Sequence, residues 1–188
     1  MDCEEGIYES HIACIHKGLS TGAKHIVVFE DDILFDRFSS RLLKNCIEFL
    51  QGTADWDVFF FGCLISGSRK TDYRCVRRIK YRSLTHAYVV HRPFAERLVK
   101  QPWQRIAYDS MLKSMQGRFF IASPSFAFQS NSPTENRNYL WLDRFRRLCG
   151  GLQRIQKRNE SYYRYRPVLV FGHIVLILLL MLWVFRCS

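Results

Sequence analysis

A chain of 188 residues with 48% hydrophobic and 24% charged side chains can fold around a real core, which excludes intrinsic disorder. Its formal charge of +11 points to an anionic partner: nucleic acid, acidic lipid or a phosphorylated small molecule. Seven scattered cysteines with no C-x-x-C pair exclude a disulfide framework and a zinc pattern, and favour a reducing compartment.

In chain order, apolar residues at Ile7, Ile12, Ile15 and Leu19 predict a helix ending near Gly22. His25 to Phe29 is short and β-branched and reads as a buried strand. Arg37 to Leu50 carries Phe38, Leu42, Cys46 and Leu50 on one helical face, with Asp36 as N-cap and Gly52 as stop. Val58 to Phe61 predicts a second buried strand. Residues 66 to 83 are polar and basic and read as loop and edge structure. Leu84 to Val90 is a third strand, and Pro93 to Val99 a helix opened by proline. A short helix over Ser110 to Met115 and strands at Phe119 to Ala122 and Phe126 to Gln129 complete the body. Strands alternating with helices predict an α/β fold with a largely parallel sheet.

The tail is of a different kind. Val168 to Phe185 is an 18-residue run without an ionised side chain. As a helix it measures about 27 Å, close to the roughly 30 Å hydrocarbon core of a bilayer. Trp183 near one end and Tyr162, Tyr163 and Tyr165 before the other stand where interface aromatics do. From residue 137 to 166 nine Arg or Lys face only Asp143 and Glu160. A basic cluster beside an apolar span suits acidic lipid headgroups better than nucleic acid. Nucleic-acid binding through Arg144-Phe-Arg-Arg147 and Tyr162-Tyr-Arg-Tyr165 is the weaker alternative. Only Arg186 is basic beyond the span, so the positive-inside rule places the folded body on the cytoplasmic side. Met1-Asp-Cys-Glu-Glu does not resemble a signal peptide. The Asn159-Glu160-Ser161 sequon would then never meet the glycosylation machinery. Three parts are expected: a domain over 1–136, a basic juxtamembrane segment over 137–166, and a transmembrane helix over 167–186.

Chemistry is most concentrated at Glu30-Asp31-Asp32, directly after the first strand. In open α/β sheets ligands bind beyond the carboxyl ends of strands. Adjacent carboxylates repel one another unless a cation or hydrogen bonds offset the charge. Hard cations such as Mn²⁺ or Mg²⁺ take oxygen ligands and leave positions for phosphate oxygens. The same triplet also reads as a solvated acidic turn, and the residues alone leave both open. Asp109 is a catalytic base or a helix N-cap on equal terms. No glycine-rich phosphate loop and no H-E-x-x-H occurs.

Taken together, Ser10-His11, Ile26-Val-Val-Phe-Glu-Asp-Asp-Ile33, Trp56-Asp57, Thr85-His-Ala-Tyr-Val-Val90, Ala95-Glu-Arg-Leu98 and Asp109 form a series that resembles glycosyltransferase family 25. That family includes lipopolysaccharide and collagen galactosyltransferases. The likeness covers roughly residues 6 to 136. It begins after the strand and helix that open other members, and Leu84 stands where they often carry glycine. The resemblance implies a GT-A-like nucleotide-diphospho-sugar transferase sheet with flanking helices. It implies inverting, metal-dependent transfer of a hexose, often from UDP-galactose, to a glycan or lipid-linked acceptor. By the same analogy Asp32 and Glu30 hold the metal, and Glu30 or Asp31 the donor ribose or metal waters. Ser10, His11, Thr85 and Tyr88 shape the donor pocket, and Asp109 is the general base. The alternative is a membrane protein that keeps the fold without the catalysis.

Overall fold

The computed structural model describes residues 3–130 and 140–187. Its elements in order are α1 (Cys3–Ser20), β1 (His25–Phe29), β2 (Ile33–Phe35), α2 (Ser40–Gly52), β3 (Val58–Phe60), β4 (Leu64–Lys70) and β5 (Val76–Ser83). There follow β6 (Ala87–His91), α3 (Arg92–Leu98), α4 (Tyr108–Ser114), β7 (Phe119–Ala122), β8 (Ala127–Gln129), α5 (Leu140–Leu148) and α6 (Gly151–Cys187).

Six strands form one sheet in the order β1-β6-β3-β7-β5-β4, while β2 pairs with β8 in a two-stranded ribbon. The expected parallel sheet is corrected: only β3 and β7 run parallel, and the other four pairings of the main sheet are antiparallel. The apolar runs have another cause. Val58 and Phe60, Tyr88 and Val90, and Phe119 and Ile121 point into a core roofed by α1, α3 and α4. Their alternates Phe59 and Phe61, Ala87 and Val89, and Phe120 and Ala122 point into a second core under α2. Both faces of the central strands are covered, so period-two alternation disappears whatever the strand direction. Fold class is therefore mixed α/β with a mixed sheet, flanking helices and one long apolar C-terminal helix.

Local chemistry accounts for other departures. Ser39, not Asp36, caps α2, accepting from Leu42 N at 3.1 Å. Asp36 instead binds Lys157 and Gln153 of α6. Phe38 lies outside α2 and is half exposed. β1 was expected to be buried, but it is an edge strand: Ile26 and Val28 are covered by α1, while Val27 and Phe29 are about half exposed. Residues 66 to 83 are the edge of the sheet, built as the β4–β5 hairpin with a bulge near Ile65.

The basic segment is not a free linker. The first four turns of α6 lie against the domain. Gln156 donates to Ala127 O at 2.9 Å, and Asn159 bonds both Ile65 N (2.9 Å) and Ile65 O (3.0 Å). Glu160 accepts from Ser125 N at 3.2 Å and pairs with Arg37 at 3.3 Å. Beyond Tyr163 the helix continues through Pro167 into its apolar half, long and apolar enough to cross a membrane, and among the described residues none of its apolar stretch is buried.

Candidate functional site

A cavity of about 940 Å³ opens where the N-terminal half of α1, the carboxyl end of β1, residues 84–85 and the start of α4 converge. Among the described residues Glu4, Glu30, Asp31, Asp32 and Asp109 line it, against one arginine, Arg146 from α5. Most of the residues expected at the site therefore reach one place. The acidic triplet is carried there because β1 ends at Phe29, and the chain is then turned by Glu30 N donating to His86 O at 2.9 Å.

The three carboxylates have different surroundings. Glu30 Oε1 accepts from His11 Nε2 at 3.2 Å and Thr85 Oγ1 at 3.0 Å. Burial opposes its charge, but those two hydrogen bonds and the adjacent imidazole hold its carboxyl below the ordinary value. With Glu30 ionised, His11 Nε2 must carry a proton. The network continues inward from His11 Nδ1 to Tyr88 OH (3.0 Å) and from there to Tyr108 OH (2.9 Å). The His11 ring stacks on Tyr108 with centroids 4.1 Å apart and planes 2° from parallel. Asp31 is exposed at the rim.

Asp32 is the contrasting case. Gln129 Nε2 donates to Oδ2 at 3.0 Å, whereas Oδ1 is buried and has no hydrogen-bond partner among the described residues. Burial raises its carboxyl above the ordinary value; Gln129 offsets this in part, and the charge of Glu30 adds to it. Across the cavity Asp109 stands in the first turn of α4, with Oδ2 accepting from Leu84 N at 3.4 Å. Burial raises it too, against hydrogen bonds from Leu84 and Ser110.

Two of the expected site residues are held differently from the rest. Tyr88 does not line the cavity, and its side chain is fully buried beneath His11. Glu30, expected as a metal ligand, has Oε1 accepting from both His11 and Thr85. Ser10 lines the cavity, with its hydroxyl returned to Gly6 O at 2.8 Å.

Three contributors escaped the sequence reading. Tyr108 carries no signal of a site in the sequence, Gln129 only ends an expected strand, and Arg146 belongs to the basic cluster assigned to lipid. Arg146 has no local signal separating it from Arg144 and Arg147; only the fold of α5 brings it to the cavity.

Among the described residues no set of three or more His, Cys, Asp and Glu side chains is grouped as a metal site. The unpartnered buried oxygen of Asp32 in an acidic cavity nevertheless fits a single-carboxylate anchor. A Mg²⁺-like ion can rest on one or two carboxylates and draw its other oxygens from phosphate and water.

No family model and no curated protein matches the chain. Among solved structures it is similar to the crystal structure of A197 from STIV, with 13% identity and a TM-score of 0.46. That alignment covers 65% of this chain and just under two thirds, 66%, of the other.

Proposed function

We propose that the protein is a membrane-associated glycosyltransferase of the family 25 type with a GT-A-like sheet. It would move a hexose, galactose by analogy, from a nucleotide-diphosphate sugar such as UDP-galactose to a glycan or lipid-linked acceptor, with inversion. The observation that carries the reading is the buried, unpartnered Asp32 Oδ1 at the end of β1, in a cavity where acidic side chains far outnumber basic ones. Such a cavity repels a diphosphate unless a cation is interposed.

Asp32 would hold Mn²⁺ or Mg²⁺, which when bound supplies Lewis-acid neutralisation of the departing diphosphate. Arg146 faces the same charge from α5 and would draw the phosphates toward it. Glu30, fixed by His11 and Thr85, would present a rigid negative edge, and Asp31 and Ser10, which line the cavity, would meet the donor ribose. Asp109 would take the proton of the acceptor hydroxyl as that oxygen attacks the anomeric carbon. Its raised carboxyl makes it a better base near neutrality than an ordinary aspartate. The apolar half of α6 would cross the bilayer and keep the cavity near membrane-borne acceptors. The excess of basic residues before that half favours a cytoplasmic body.

The full chain, incubated with UDP-galactose and Mn²⁺ and followed by UDP release, provides the test. Asp32→Ala should lower release on the order of 10²–10³-fold, as loss of one transition-state charge contact does. Chelation should do the same to the wild type. If Asp32→Ala and wild type are indistinguishable, the chain is a non-catalytic protein with this fold.

A further inference from the structure

The β4–β5 hairpin carries Arg69, Lys70, Arg74, Arg77, Arg78, Lys80 and Arg82, and its single acidic residue is Asp72. Its strand register sets Arg69 opposite Arg78 and Lys70 opposite Arg77. Like charges directly across a ladder are destabilising. Among the described residues none of Arg69, Lys70, Arg74 or Arg78 forms an ion pair. Glu160 lies near Arg77, but the exposed Arg69, Lys70, Arg74 and Arg78 have no such carboxylate partner among the described residues and are open to negative charge from outside the fold.

Its position indicates the source. β4 runs alongside α6 in the same direction: Ile65 is bonded to Asn159, and Ser68 Oγ donates to Tyr163 O at 3.4 Å. Arg77 Nε donates in turn to Ser68 Oγ at 3.2 Å, which ties the second strand to the same level. From Tyr163 to Pro167 the helix rises about 6 Å, while each further strand residue advances up to about 3.3 Å. Arg69 and Lys70 therefore come level with Arg164, Arg166 and the start of the apolar half of α6.

We infer that the β4–β5 hairpin is a second membrane contact, whose exposed Arg69, Lys70, Arg74 and Arg78 bind the acidic headgroups of the leaflet from which α6 emerges. The body would then rest on the bilayer through two cationic supports, the helix and the sheet edge, and its orientation would be fixed. The inference rests on α6 spanning a membrane and is independent of sugar transfer.

The full chain reconstituted in phosphatidylcholine bilayers, with and without phosphatidylserine, provides the test, and reconstitution itself reports on the span. Spin-labelled phosphatidylserine should associate with the protein in preference to spin-labelled phosphatidylcholine. The Arg69→Gln/Lys70→Gln/Arg78→Gln variant should lower that preference several-fold, up to about fivefold per cation removed. Arg164→Gln/Arg166→Gln should lower it separately. Amide exchange of residues 69–78 in the unmodified protein should be slower in acidic than in neutral bilayers, which keeps the test decisive if the triple variant misfolds. The inference is overturned if hairpin exchange is the same in both bilayers, or if the folded triple variant keeps the full preference. It is equally overturned if the triple variant loses oligonucleotide binding in detergent while its lipid preference stays intact.

Discussion

The cavity and the seam between α6 and the domain both bury carboxylates, and burial raises both; they differ in what stands against that shift. At the seam Glu160 has Ser125 N, Arg37 and the nearby charges of Arg164 and Arg77, every one favouring its ionised form against the cost of burial. In the cavity Asp32 has Gln129 and the nearby His86 in its favour, while its acidic neighbours Glu30 and Asp31 work against its charge. The seam is a closed arrangement that holds a helix on a sheet. The cavity is open-ended, and Asp32 Oδ1 has no hydrogen-bond partner there among the described residues. The difference separates a carboxylate tied into the fold from one that, on the proposed reading, is open to a ligand.

The seam should break more severely than the cavity. Gly62 follows β3 where the backbone of β8 and the side chain of Gln156 close over it. A methyl group there would overlap the Ala127 carbonyl oxygen and the Gln156 amide. Gly62→Ala must push β8 and α6 away from β3, at a cost of about 3 kcal/mol or more, visible as a large fall in unfolding temperature. Next comes Glu160→Ala, which strands Ser125 N and deprives Arg37 of its ion pair. A loss of about 2 kcal/mol is expected, with faster amide exchange in the first turns of α6. Equal exchange in variant and wild type would show that the seam does not depend on this residue.

Asp32→Asn should have the opposite sign. A carboxyl raised by folding favours the folded state fully below its unfolded pKa of about 3.8, and that advantage is lost as pH rises through the higher folded value. Removing the charge should make the variant more stable than wild type at neutral pH, by less than about 1 kcal/mol after solvent screening. The gain should vanish below pH 3.8. Denaturant midpoints of both proteins across this range measure it directly. A variant less stable at neutral pH would mean that contacts of the ionised Asp32 outweigh its burial.

What the sequence disclosed and what it withheld divide along the same physical line. β7 at Phe119–Ala122 and the Leu42, Cys46, Leu50 face of α2 were legible because local apolar pattern defines them. Strand direction was not, since central strands covered on both faces look alike in parallel and antiparallel sheets. The hairpin of β4 and β5 was read as loop and edge because its cations hide the pattern of Val76, Ile79 and Tyr81. At the cavity the convergence of Glu30, Asp32, Asp109, His11 and Thr85 was anticipated only through a family likeness. Nothing local could show that Glu30 is held by His11 while Asp32 keeps a free oxygen, because both facts depend on contacts made across the fold.

The smallest expected effect concerns strain at the cavity wall. Leu84 has φ +77°, in the left-handed region that costs a side chain with a Cβ about 1–2 kcal/mol. The position is constrained because Leu84 N must point at Asp109 Oδ2. Glycine adopts this φ without strain but adds about 0.5–1 kcal/mol of chain entropy to the unfolded state. Both Leu84→Gly and Leu84→Ala lose the leucine packing, but only alanine keeps the strain, so the glycine variant should exceed the alanine variant by about 0.5 kcal/mol. Glycine above alanine in denaturant midpoint is the signature of backbone strain. If alanine proves as stable as glycine, Leu84 is held by its side chain, and the cavity wall is packed as firmly as the seam.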